Sequence, residues 1–471
     1  MSAEITHMSL FEASKELNKR GISSVELTQA CLTRMEKLNP VLNCSVEILH
    51  DQAHSDAAAA DKKRADGETN QPLLGVPLAH KDMYYRAGRV SGCGSKIRAD
   101  FVPDHTSTAL SRLDGAGALD IARLNMVEFA LGVTGHNDVM PTPKNPWNTD
   151  HMTGGSSSGS GSSVAARIVF GALGSDTGGS IRLPAAACGL VGMKPTYGRV
   201  SRYGAMPLSH SLDTVGPLTR TVKDNALMMR AISGHDDKDV TSSTLPVPDY
   251  MDGIDSGVKG LKIGIPETYF YDEIDPAIEA LVRESLNVYE SLGAILVPVK
   301  MPDTIAATNA LCGLMTTTEG VALHGEWLKN RWEDYGEQTR NRFLPGFLMP
   351  AVRYMEALNN RARVLADFAS AVFDHVDVLH APVIPIPLPT SEVSGDASSA
   401  NFFALTNLIG RCTRPINYLG LPGLNIPCGF TGPNLPVSFQ LVGRPFDEKT
   451  LLRAGQAYET ATGWVSQSPD I

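Results

Sequence analysis

Between Gly154 and Leu190 the chain carries two serine-and-glycine segments with a short apolar run between them: GGSSSGSGSS, then IVFGAL, then GSDTGGSIRLPAAACGL. Backbone this bare suits tight turns, or segments that must approach one another or a ligand closely. Where serine hydroxyls sit on such turns, a nucleophile can lie beside uncovered peptide N–H donors. Acyl transfer from an amide needs both.

The stretch Gly174-Ser175-Asp176-Thr177-Gly178-Gly179-Ser180-Ile181-Arg182 follows the apolar run Ile168 to Leu173 and leads into Pro184-Ala185-Ala186-Ala187. This order predicts strand, tight turn and helix start, with Ser180 near a helix N-terminus. The N–H groups of Thr177, Gly178, Gly179 and Ser180 are then the candidate oxyanion hole, each well-aimed donor being worth roughly 3 to 4 kcal/mol. Taken alone, DTGGS also suits a plain strand-to-helix turn. A serine nucleophile further requires a base. The twelve histidines stand in no interpretable frame, among them His80, His136, His151, His210 and His235. Gly155-Ser156-Ser157-Ser158-Gly159 matches G-x-S-x-G formally, but Trp147 to Met152 before it does not read as the strand a nucleophile elbow needs. Lys81, which closes the strand-like run Gly75 to His80 and precedes Asp82, is the better candidate.

Three segments, GVPLAHKD, NPWNTDHMTGGSSSGSGS and GSDTGGSIRLPAAACGLVGMKPTYGRVSRYG, resemble in order and content the amidase signature family, whose members hydrolyse amides with a Ser, cis-Ser, Lys triad. The similarity extends from SLFEASKELNKRG to LPVSFQLVGRPFDEKTLLRAGQAYE, nearly the whole chain. It implies an α/β amidase signature fold, with a mixed central β-sheet flanked by helices on both faces. It also implies that Ser180 is the acylated nucleophile, Ser156 a bridging hydroxyl that follows a cis peptide and faces the substrate, and Lys81 the ultimate base. No cofactor or metal is implied. Such a base must be neutral, so Lys81 has to fall about two pH units or more below about 10.4, as burial without a carboxylate partner would achieve. Asp82 is therefore expected to point away from the Lys81 ammonium.

The chain departs from the family pattern in places. Ser158 stands where a glycine is usual and is expected to add a side chain near the substrate rim. Arg123 and Val127 replace a common lysine and a common polar residue in ARLNMVEFA, and Ala130 in that segment is a candidate substrate-facing backbone group.

With 471 residues, 42% hydrophobic and 20% charged, the chain can bury a large core. Its net charge of −10, with no basic run longer than Lys62-Lys63-Arg64, argues against nucleic-acid binding. Seven cysteines at irregular spacings, without C-x-x-C or H-E-x-x-H, read as reduced thiols, with Cys188 a packing residue. MSAEITHMSLFEA has no leader pattern, and no apolar stretch is long enough for a membrane span. A cytoplasmic protein that binds no membrane is expected.

The whole chain, 1–471, reads as one amidase domain. Helices fill 1–65, with a capping box at Ser23-Ser24-Val25-Glu26 and an apolar face of Leu27, Cys31, Met35 and Leu38 ahead of Pro40. Strands and helices alternate over about 73–230. A β-α-β unit runs from Leu261 through a helix opened by Asp275-Pro276 to Val299, and Asp377 to Pro389 reads as a buried strand with a proline-rich end. Residues about 305–375 read as variable helices covering the site. The expected activity is hydrolysis of a small carboxamide through a seryl acyl-enzyme, by a chain that the resemblance allows to be a homodimer. Carbamate or urea hydrolysis is one alternative. The other is the amidase subunit of a glutamine-dependent tRNA amidotransferase, which GMKPTYGRVSRYG and SLDTVGPLTRTVKDNA resemble, though its tyrosine-rich segment has no clear counterpart in 330–365.

Overall fold

Ser23 and Glu26 exchange hydrogen bonds in a complete capping box, which opens the helix Ser24–Leu42 with Leu27, Cys31, Met35 and Leu38 all buried. In the computed structural model, which describes the backbone of residues 2–471 and side chains from Ile5 onward, this helix packs against the helix His50–Ala65. Met1, within the expected helical entry, lies outside the described residues. The helix does not stop at Pro40 but runs to Leu42, where Asn43 adopts a left-handed conformation and returns its N–H to Asn39 O. Proline this near a helix end removes one hydrogen bond without breaking the turns before it.

Eleven strands follow in chain order: β1 Ser45–Ile48, β2 Pro77–Lys81, β3 Leu119–Leu124, β4 Gly171–Asp176, β5 Val191–Lys194, β6 Thr214–Thr219, β7 Lys262–Pro266, β8 Ile295–Val299, β9 Val378–Pro382, β10 Gly423–Thr431 and β11 Leu435–Gly443. They form one mixed sheet in the order β1-β3-β2-β4-β6-β5-β10-β11-β9-β7-β8, flanked by helices. β2 lies parallel to both β3 and β4, and β7 lies parallel to both β8 and β9. The expected β-α-β unit is present as β7, the helix Pro276–Ser291 and β8, with Asp275 accepting from the N–H groups of Ala277 and Ile278. The anticipated strand at Asp377 to Pro389 is shorter, only β9.

One strand is displaced from its expected place. The apolar run predicts Ile168 to Leu173, whereas β4 begins at Gly171 and ends at Asp176. Ile168 N still bonds back to Ser163 O, and Arg167 is left-handed at φ 57, so Ile168 to Phe170 are buried while leaving the preceding helix. An apolar run reports burial and cannot by itself separate a buried turn from a strand. The shift brings Ser175 and Asp176 onto the strand, directly before the nucleophile turn.

The helices Ile305–Asn330, Glu337–Phe343 and Ala351–Phe373 occupy the region expected to be helical. Among the described residues, no helix is long and apolar enough to cross a membrane. All seven cysteines are unbridged, and Cys188 is fully buried.

Candidate active site

β2 carries Lys81 at its C-terminal end, and the parallel neighbour β4 carries Ser175 near its own. The loop before the helix Ser158–Ala165 brings Ser156 to the same point. Its close seating depends on Gly174, where a Cβ would lie 2.7 Å from Ser157 Oγ. Lys81 Nζ donates to Ser156 Oγ at 2.7 Å and to Ser175 Oγ at 2.8 Å. Lys81 and Ser156 are 1% and 0% exposed. The peptide between Gly155 and Ser156 is cis.

Burial lowers the Lys81 pKa from 10.5 to about 7, against the opposing fields of Asp213 and Asp176. Among the described residues, no carboxylate touches the ammonium. Asp82 faces elsewhere, as expected: its Oδ1 accepts from Arg123 Nη1 at 2.6 Å and from Gly92 N at 3.2 Å. Arg123, in place of a lysine, thus holds the carboxylate next in sequence to the base. Lys194 is equally buried and also lowered to about 7, chiefly by burial, but its Nζ donates to Pro195 O. A depressed pKa does not distinguish these two lysines. Their hydrogen-bond partners do.

Ser180 lies on the turn after β4, and its carbonyl accepts from Ser157 Oγ at 2.6 Å and Ser157 N at 3.3 Å. The serine loop and the nucleophile turn are therefore tied together one residue from Ser156. Ser180 Oγ makes no hydrogen bond among the described residues, to Ser156 Oγ or otherwise. It lines a cavity of about 230 Å³ together with Thr177, Gly178 and Ala130.

The oxyanion turn differs from expectation in one respect. Asp176 Oδ1 accepts from Gly179 N at 2.7 Å, and its Oδ2 accepts from Ile181 N at 3.1 Å and Arg182 N at 3.4 Å. The start of the short helix Arg182–Ala187 is thus capped from within, and Gly179 N–H is already engaged. Among the described residues, the N–H groups of Thr177, Gly178 and Ser180 have no acceptor. Burial works to raise the Asp176 pKa, but Arg182, bonded through Nε at 3.1 Å and Nη2 at 3.2 Å, outweighs it and holds the group down at about 2. Thr177 is fixed in turn by a 2.5 Å bond from its Oγ1 to Asp213 Oδ1.

Ala130 borders the cavity in a left-handed conformation, φ 61, an unusual one for a residue with a Cβ. Its N–H donates to Val127 O, and its carbonyl accepts from Gly132 N at 3.2 Å, so both backbone groups of Ala130 are engaged within their own loop. Val127 N bonds to Ser156 O at 3.1 Å, and Gly155 N to Val133 O at 2.7 Å, which pins this loop to the serine loop. Ser158 does not reach the rim. It is 0% exposed at the start of its helix, outside the cavity lining, and its Oγ is buried without a partner among the described residues.

Several contributors escaped sequence reasoning. Ser175, the second acceptor for Lys81, belongs to the displaced strand. Cys312, Arg342 and Arg414 border the cavity from segments far away in sequence, with no local motif to mark them. Among the described residues, no three His, Cys, Asp or Glu side chains are grouped to hold a metal ion.

Known proteins resemble this chain over nearly its whole length. The Amidase family model matches residues 26–452. A glutamyl-tRNA(Gln) amidotransferase subunit from Geobacter metallireducens is 38% identical, over 99% of this chain and 100% of that protein. A solved complex described as vestigial, and as revealing the origins of an s-triazine catabolic enzyme, contains a chain 32% identical with a TM-score of 0.89, covering 97% of this chain and 99% of that one. A bacterial aryl acylamidase of the amidase signature family has a TM-score of 0.88 at 27% identity, over 98% of each chain. With the match spanning nearly all its length, this chain belongs to the amidase signature family of enzymes, which hydrolyse carbon–nitrogen bonds.

Proposed function

We propose that the chain hydrolyses a small carboxamide, releasing ammonia or an amine and a carboxylic acid through an acyl-enzyme on Ser180. The observation that carries this reading is the buried, carboxylate-free Lys81 at 2.7 Å from Ser156 Oγ, beside a turn whose Ser180 opens to a cavity. Neutral Lys81 takes the Ser156 proton while Ser156 takes that of Ser180. This step requires Ser180 Oγ–H to donate to Ser156 Oγ. Ser180 Oγ attacks the carbonyl carbon, and the oxyanion that forms is met by the N–H groups of Thr177, Gly178 and Ser180. The C–N bond then breaks, with the relay returning the proton to the departing nitrogen. Water repeats the attack on the acyl carbon and frees Ser180. A carbamate or urea would pass through the same steps.

A second reading rests on a different observation. Relatives 38% and 40% identical across 99% of this chain are named as glutamyl-tRNA(Gln) amidotransferase subunits. In that reading the chain works within a complex, alongside partner proteins. These names favour the amidotransferase role, whereas a cavity bordered by arginines and, among the described residues, by no carboxylate favours an independent hydrolase. Incubating the purified chain alone with simple amides and measuring ammonia separates the two. Sustained turnover supports the hydrolase. Labelling of Ser180 by a serine-directed reagent, with turnover only when partner proteins are added, supports the amidotransferase role. Neither labelling nor turnover under either condition refutes both.

A further inference from the structure

The cavity in front of Ser180 is bordered by two arginines and, among the described residues, by no Asp or Glu. Arg414 stands on the nucleophile side, where a Cβ added to Gly178 would lie 3.3 Å from its Cγ. Its Nη1 donates to Asn407 Oδ1 at 2.6 Å and Asn309 Oδ1 at 3.1 Å, and its Nη2 to Thr406 O at 3.3 Å, all of them neutral acceptors. Arg342 comes from the helix Glu337–Phe343 and meets the Ala130 loop, with Nη1 donating to Leu131 O at 2.9 Å. Its Nη2 is buried and has no hydrogen-bond partner among the described residues.

The electrostatics single out this pair. Burial first, and then the charge of Arg414, lower the Arg342 pKa to about 10 against the opposing field of Asp138. Asp138 forms no ion pair with Arg342. Its carboxylate is taken by His136 Nε2 at 3.1 Å and by Gln338 N at 2.8 Å. Guanidinium groups keep their charge even when buried, so these two repel one another with no counter-ion in contact among the described residues. The chemical complement of such a pair is an anion with two acceptor oxygens.

We propose that the substrate carries a carboxylate at the end remote from its scissile amide, seated by Arg342 and Arg414, so that half-amides of short dicarboxylic acids are preferred to neutral amides. The inference rests on the Ser180 reading for the position of the amide. It also sets such anions above zwitterionic amides such as glutamine, because an ammonium would meet two cations and no carboxylate.

The test uses the full chain carrying Ser180→Ala, titrated calorimetrically with oxamate, malonamate, succinamate and glutaramate, with the neutral amides of matching length, and with glutamine. The best half-amide should bind about 100-fold more tightly than its neutral counterpart, and Arg342→Met or Arg414→Met should each weaken it by about 10-fold or more while barely changing the neutral amide. Should an arginine variant fail to fold, the salt dependence of the parent decides: added potassium chloride should weaken the half-amide and spare the neutral amide. Equal affinity for neutral amide, glutamine and half-amide overturns the proposal, as does salt-independent binding. Turnover of neutral amides by the unmutated chain without preference for half-amides overturns it too, yet leaves the Ser180 mechanism standing. Tight half-amide binding with no acylation of Ser180 does the reverse.

Discussion

Replacing Lys81 by Met tests the base through two independent readouts. Met keeps the length and removes the charge, so the variant measures what burying an amine costs this fold. In the folded chain the Lys81 pKa is lowered by burial from 10.5 to about 7. Each pH unit is about 1.4 kcal/mol, so the buried ammonium costs on the order of 5 kcal/mol below pH 7. Between about 7 and 10.5 the unfolded chain holds more protons at this position than the folded one, so stability rises with pH, and the penalty has vanished above that window. The stability of the unmutated chain minus that of Lys81→Met should therefore climb by roughly 1.4 kcal/mol for each pH unit between 7 and 9. Urea unfolding of both chains at several pH values gives this difference directly, and Lys194 cancels because both contain it. The same protonation sets the kinetics: kcat/KM of the unmutated chain should rise through about pH 7 as the neutral amine appears. Lys81→Met should lose about 10³-fold or more of its activity. A stability difference flat across the window, or an activity limb well below pH 7, would refute the assignment of Lys81 as the neutral base.

Other outcomes follow from the same geometry. Ser180→Ala should abolish covalent labelling, seen as the missing mass increment after a serine-directed reagent, and reduce turnover by on the order of 10⁵-fold; surviving turnover contradicts the nucleophile. Asp176→Asn leaves Arg182 buried without its charge partner and should destabilise the fold by about 3 to 5 kcal/mol in urea titration. A loss below about 1 kcal/mol would mean that Asn417 and Gln440 suffice for Arg182. Gly179 has φ 133, and a Cβ there would lie 2.4 Å from Thr413 Oγ1, so Gly179→Ala should cost more than about 1 kcal/mol and impair kcat more than KM. An alanine variant with unchanged kinetics would show that the turn tolerates displacement.

The site was legible in the sequence where its chemistry is local. Ser180, Gly178 and Thr177 share one turn, and the two serine-glycine segments stand close together in the chain, so residue type and order already pointed to a hydroxyl beside free N–H groups. The engaged Gly179 N–H was not legible, because the Asp176 carboxylate that takes it is oriented by Arg182 and by Asn417 from the far end of the chain. The limits of β4 were misplaced because Ile168 to Phe170 are as buried as strand residues while still leaving a helix. Ser158 breaks the glycine pattern without changing the rim, since helix geometry turns its side chain into the interior.

What the order of residues determined by itself is the inventory: a glycine-poised serine, a second serine on a bare loop, a lysine at a strand end and a chain able to bury them. These are properties of short segments, where turn chemistry and hydrophobic period act over a few residues. Tertiary structure alone decided which lysine has a serine for a partner, which peptide N–H groups stay free, and that two arginines, from a helix near residue 340 and from the short helix Arg414–Leu419, meet at one cavity without a counter-ion among the described residues. Electrostatic fields and desolvation act through space, so their effect on a group depends on neighbours that the chain brings together only when it folds.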